Sequence, residues 1–265
     1  MNRSVVILVT AVAAFGVFIG VQAGRTARHR ARPASDSAAP QSSATILLQT
    51  QEGDLVRVRR STLPPPPPRN YAAITQAITE GRDPVTYLDE ILAVRGGNIA
   101  RWVDRRDNPI TVWIQPTSDV KDFWPAYRTL ARDAFYTWSN AGIPIRFLFV
   151  DDSAAAEVRL RWMDRFPDTA VGKTYWARDV NWWIVGGDIE IALHSAAGVA
   201  FDRQAVHAIV LHEVGHLLGL DHATNTANVM APRVRVMVLS PADLRTLHLI
   251  YKLPPGPTRE ATQRP

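Results

Sequence analysis

The chain contains no cysteine. That absence excludes disulfides, zinc ribbons, thiol nucleophiles and any latency switch built on a thiolate, and it leaves the redox compartment open. Hydrophobic excess is also missing: 46% of residues are hydrophobic and the mean hydropathy is −0.08, which excludes a polytopic membrane protein and equally a wholly disordered chain. Surplus charge is absent from the folded part. The 30 Lys+Arg and 25 Asp+Glu give +5, yet residues 1–69 hold nine basic and three acidic residues while residues 70–265 hold 21 and 22. A nucleic-acid-binding domain carries its basic patch on the fold itself, so nucleic acid is not expected as a partner. Aromatics are scarce in the first 101 residues; all eight tryptophans and 18 of the 22 aromatic residues lie from Trp102 onward.

The residues that are present divide the 265-residue chain into five stretches. Residues 1–23 read as a signal peptide or membrane anchor: Met1-Asn2-Arg3 precedes a 17-residue uncharged, mostly apolar run, Val5–Val21, with small residues around Ala23. Export is expected, with the product secreted or anchored at the membrane by residues 5–21. Arg25, Arg28, Arg30 and Arg32 hinder transfer of the chain beyond them, and they leave cleavage and retention both open. Residues 24–69 form a basic, Pro-rich tether suited to an envelope or membrane surface. It holds a small hairpin around Glu52-Gly53-Asp54 and a stiff five-proline spacer, Pro64–Pro68. Residues 70–97 read as a helical linker or pro-region, broken at Asp83-Pro84, residues 98–255 as the main domain, and residues 256–265 as a tail.

Within the main domain the order is β-α-β-β-β-β-α-α. Ile110–Ile114 alternates as a strand, Val120–Asn140 reads as a long amphipathic helix, and Ile145–Val150, Glu157–Met163, Val171–Ala177 and Asp188–Leu193 read as strands. A second helix runs from Ala205 to Leu218 and stops at Gly219. A third begins at Ser240-Pro-Ala-Asp243, with a capping Ser, Pro at N1 and Asp at N3.

The chemistry sits in His-Glu-Val-Gly-His-Leu-Leu-Gly-Leu-Asp-His, residues 212–222. His212 and His216 are i and i+4 on a helix, so both imidazoles reach one metal from one face. Glu213 neighbours the first ligand and can reach a metal-bound water without binding the metal. Gly219 lets the chain leave the helix in a conformation other residues resist, and the turn returns His222 to the same metal. Three neutral imidazoles with a fourth position open make a catalytic rather than a structural site. A downstream glutamate ligand is excluded, because the only Glu after Glu213 is Glu260 in the tail. Asp243 is explained by its N3 position, and Asp221 is one residue off the required spacing.

This extended motif, followed by Met230 in Asn228-Val-Met-Ala-Pro232 and by the helix ending at Tyr251, resembles the metzincin zinc proteases and, within them, the matrixin branch. The resemblance spans about residues 98–253. It implies an α+β fold: a twisted mixed sheet with three helices, one of them the active-site helix, and a Met-turn. It implies one Zn2+ held by His212, His216 and His222, Glu213 as general base towards the zinc-bound water, and Met230 as the floor beneath the metal. The expected function is a zinc-dependent endopeptidase acting on protein or peptide substrates. The competing reading is an inactive metzincin-fold module that binds peptide or metal at the cell envelope, which the retained Glu213 argues against.

An extended substrate is expected along Val171–Ala177, and Pro232, Val234, Val236 and Met237 as its pocket, with Arg233 and Arg235 at the rim. The chain also departs from the animal matrixins. It lacks the pro-segment cysteine, and their structural-zinc pattern is not visible, so His194 and His207 read as ordinary core or surface histidines. No tyrosine follows Met230 closely. Ca2+ around Asp179–Asp188 is an expectation without a clear motif behind it.

Overall fold

The computed structural model describes residues 46–49, 55–59, 63, 65–81, 86–234 and 236–260. The expected signal or anchor, most of the tether, the Asp83-Pro84 break and Arg235 lie outside the described residues. In chain order the elements are strands β1 (Ile46–Gln49) and β2 (Leu55–Arg59), helices α1 (Tyr71–Gly81) and α2 (Leu88–Val94), strands β3 (Asn98–Ile99) and β4 (Arg105–Ile114), and helix α3 (Tyr127–Ser139). Next come strands β5 (Ile145–Phe149), β6 (Val158–Met163), β7 (Gly172–Asp179) and β8 (Ile184–Ala192), helices α4 (Arg203–Leu217) and α5 (Pro241–Lys252), and strand β9 (Gly256–Pro257). No helix among them is long and apolar enough to cross a membrane.

Period-two patterning builds the sheet. Val158, Leu160 and Trp162 of β6 are buried and alternate with half-buried arginines and Met163, and Ile110, Val112 and Ile114 do the same on β4. The sheet runs β1-β2-β7-β8-β6-β4-β5. Strands β5, β4, β6 and β8 are mutually parallel, and β7 turns back antiparallel on β8. Strand β2 joins β7 in parallel, but only along Ala177–Asp179, and β1 pairs antiparallel with β2. The architecture is the mixed-sheet α+β fold that the resemblance implies.

Helix α4 is buried on nearly every side: Val206, Ile209, Val210, Leu211, Val214 and Leu217 all lie in the core. A helix apolar all round belongs inside a protein rather than on its surface. Trp138 of α3 is fully buried against it and donates Nε1–H to the Leu211 carbonyl at 2.8 Å. Burial of each such large side chain contributes roughly 1.5–3 kcal/mol.

Several expected boundaries shift: β4 begins at Arg105 instead of Ile110, and β8 at Ile184 instead of Asp188. The helix expected from Val120 begins only at Tyr127. Asp122 has a left-handed φ of 61°, and Pro125 lacks the N–H and disfavours helical geometry in the residue before it. Phe123 still packs on the core from this irregular stretch, which is why its helical spacing misleads. Helices α1 and α2 also join the core, through Ile74, Leu88 and Ile91, with Tyr87 between them.

Candidate active site

Asp202 caps the start of α4, its carboxylate accepting from the Ala205 N–H at 2.8 Å. At the other end Gly219, at φ +98°, closes a Schellman turn: its own N–H donates to His216 O and that of Leu220 to Gly215 O, each at 3.0 Å. An added Cβ at Gly219 would run into the Ala100 carbonyl. Glycine is therefore required where the chain leaves the helix towards His222.

The turn brings the three histidines together. Their ring centroids are 4.7, 5.3 and 4.8 Å apart, and one nitrogen from each lies within 4.8 Å of the others. His212 Nδ1 donates to Val229 O at 2.7 Å and His216 Nδ1 to Leu220 O at 3.2 Å. With Nδ1 carrying the proton, each neutral ring has its lone pair on Nε2, and these two Nε2 atoms face one another at 3.1 Å. Two lone pairs so close repel unless they share a cation, and a tetrahedral zinc site with Zn–N of about 2.05 Å puts its nitrogens roughly 3.3 Å apart. The donors therefore fit a zinc ion. Burial favours the neutral rings: it pushes His212 down to about 4 and His216 well below its usual value, with the neighbouring imidazoles adding to both.

Glu213 is buried beside this cluster. The Thr174 hydroxyl lies 2.6 Å from its Oε2 and 3.0 Å from its backbone oxygen. Gly172, two residues back on β7, leaves room for the carboxylate; a Cβ there would sit 2.7 Å from Glu213 Cγ and Cδ. Thr174 and Gly172 escape a reading of the sequence, since only the sheet brings them to the helix. Met230 is fully buried and packs on α4 at Gly215, between the two helical histidines.

A cleft of about 790 Å³ opens over the cluster, with β7 on one side and α4 beneath. Pro232, Arg233 and Val234 line it, as do Phe201 and Ile209. The other two expected pocket residues lie apart from that lining: Val236 packs on the core and Met237 is 43% exposed.

The remaining singled-out residues lie outside the histidine cluster. His194 lies between Asp122 and Asp164, its nitrogens 2.9 and 2.8 Å from their carboxylates. His207 is on α4, its protonated form disfavoured by burial. Asp179 Oδ1 accepts from the N–H groups of Asn181 and Trp183, and Asp188 pairs with Arg161 at 3.0 Å. Asp179 thus closes the β7–β8 turn and Asp188 ties β8 to β6, and these contacts lend calcium no support. Asp243 completes a capping box at the start of α5.

Residues 102–252, more than half the chain, match the matrixin family model. The chain is 32% identical over 124 residues to metalloendoproteinase 1-MMP of Arabidopsis thaliana, covering 41% of this chain and 32% of that protein. It is 33% identical over 89 residues to metalloendoproteinase 2-MMP of the same plant, covering 32% and 22%. The chain thus spans about a third or less of the length of these curated relatives.

Proposed function

The chain belongs to the matrixin family of metalloendopeptidases, and we propose that it is a zinc-dependent endopeptidase. His212, His216 and His222 would hold one zinc ion, with Glu213 as general base. The observation that carries the reading is the pair of proton-free Nε2 atoms facing each other at 3.1 Å, with a seated carboxylate alongside.

Zinc held there supplies a Lewis acid that polarises a peptide carbonyl and lowers the pKa of water towards about 7. The residues of the chain do the rest. Val229 O and Leu220 O hold the two helical imidazoles in the tautomer that presents Nε2. Glu213 receives the proton of the attacking water and hands it to the leaving amine. Gly172–Tyr175 of β7 line the cleft just before the stretch taken by β2. An extended substrate chain would lie there by backbone pairing, with one side chain directed towards Phe201, Ile209 and Val234. The apolar run Val5–Val21 supports action outside the cytosol, with the product exported or anchored.

The test is cleavage of a protein substrate by the whole chain, with and without a zinc chelator, alongside Glu213→Gln. Chelation should abolish cleavage and added zinc restore it. Glu213→Gln should lose about 10²–10⁴-fold in kcat, the usual contribution of a positioned base, while still binding one zinc. Cleavage that survives the Gln substitution would falsify the role of Glu213. An inactive peptide- or metal-binding module is not favoured, because the buried seat of Glu213 contributes nothing to holding a metal.

A further inference from the structure

The turn that carries His222 has no regular secondary structure of its own between α4 and the Met-turn. Its hold comes from a distant part of the chain. Arg95, at the end of α2, is nearly buried, and its guanidinium reaches three consecutive turn residues: Nη1 donates to Gly219 O at 2.8 Å, Nη2 to Leu220 O at 3.1 Å, and Nε lies 3.3 Å from Asp221 Oδ2. Leu220 O is the same carbonyl that accepts from His216 Nδ1, and Asp221 Oδ1 accepts from the His222 N–H at 3.0 Å. The planar guanidinium also lies 5.3 Å from the Trp176 ring, which fixes its direction. One and a half turns earlier on α2, the Glu90 carboxylate accepts from the Thr224 N–H at 2.8 Å and hydroxyl at 3.2 Å. His222 therefore sits between two grips, one on residues 219–221 and one on residue 224, both supplied by α2. Neither Arg95 nor Glu90 lies within the matched span 102–252.

We propose that Arg95 and Glu90 are positioning residues that pre-form the third metal ligand, so that the segment before the matched domain is a working part of the metal centre. This rests on reading His212, His216 and His222 as the zinc site. The physical argument is ordering entropy. A loose backbone loses conformational freedom when it is fixed, and an ungripped turn would meet that loss each time zinc binds. Partners of this kind, one step removed from the metal, typically change its affinity 10–100-fold when lost.

The experiment measures Zn2+ affinity of the full chain by chelator competition, together with the visible spectrum of the Co2+-loaded protein. The variants are Arg95→Met, Arg95→Lys, Glu90→Gln and His222→Ala. Ile114→Ala, a core truncation on β4, serves as a control that lowers stability without touching the turn. Arg95→Met should weaken Zn2+ binding by about 10–100-fold and alter the Co2+ spectrum in the same sense as His222→Ala. Arg95→Lys should fall between, since an ammonium cannot reproduce the fork. Glu90→Gln, which keeps the side-chain shape, should show a smaller loss. The clamp is overturned if Arg95→Met and Glu90→Gln bind Zn2+ like wild type, or if Ile114→Ala weakens binding as much as they do. If His222→Ala itself binds like wild type, the metal-site reading has failed, and the clamp with it.

Discussion

Gly172 and Thr174 lie two apart on β7 and so face the same way, towards Glu213 of α4. One gives the carboxylate space and the other gives it a proton donor, which together set the position of the proposed base. Gly172→Ala would place a Cβ 2.7 Å from Glu213 Cγ and Cδ. Because the obstacle is a side chain and not backbone, the fold should survive while the carboxylate moves. A displacement near 1 Å costs about 10²-fold in such sites, so kcat should drop by about that factor with the thermal midpoint and Zn2+ affinity nearly unchanged. Full activity in this variant would mean that the carboxylate works from another position. The histidines are legible in the sequence because i, i+4 spacing and a closing glycine are local rules. Gly172, Thr174 and Arg95 are not, since their partners lie 39 or more residues away and no local pattern names them.

Among the elements, α5 shows how one cap serves several neighbours. Ser240 and Asp243 form the capping box that Ser-Pro-Ala-Asp announces, and this part of the sequence reads correctly. The tertiary use of Asp243 does not show in that pattern. Its Oδ1 accepts from the Tyr87 hydroxyl at 3.0 Å, and its Oδ2 from the N–H groups of Val229 at 3.0 Å and Ser240 at 2.8 Å. Val229 in turn holds His212 through its carbonyl, so α5, the Met-turn, α4 and the start of α2 meet at one buried carboxylate. Burial and the adjacent Asp243 charge hold the Tyr87 phenol well above its usual value, so it stays a donor. Asp243→Ala leaves three donors without an acceptor, at about 1–3 kcal/mol each when buried. Urea unfolding should therefore show a loss of about 3 kcal/mol or more, against about 1–2 kcal/mol for Ser240→Ala, which removes the cap and the donor to Asn228 Oδ1. Equal losses would mean that the capping box alone accounts for Asp243. Helix α3 makes the opposite point about legibility: apolar spacing extends the expected helix to Val120, but Asp122 and Pro125 forbid it, and the side chains reach the core without helical backbone.

Over the whole molecule, the +5 charge belongs to the first 69 residues and says nothing about the stability of the domain. The pH response of the fold is set instead by the buried histidines of α4. Burial lowers His212 to about 4 and lowers His216 and His207 as well, whereas in the unfolded chain a histidine titrates near 6.5. Below pH 6.5 the unfolded state thus binds protons that the native state refuses. The stability from neutral burial is fully present above about 6.5 and is lost as pH falls towards the folded values, by about 1.4 kcal/mol per pH unit for each histidine involved. Three carboxylates with lowered values lie outside this window. Asp104, Asp164 and Asp168 are held below 3.8 by donation from Arg106, Arg165 and Lys173, so their contribution disappears only in stronger acid. For the chelator-treated chain, the urea midpoint should be level from about pH 7 to 8.5 and fall steadily from about 6.5 to 4.5. Replacing His212 and His216 by asparagine should flatten most of that slope, whatever it does to the midpoint itself. A level profile in the unsubstituted chain across that window would mean that these rings take up protons in the folded state, and the neutral, metal-ready pair of Nε2 atoms would lose its physical basis.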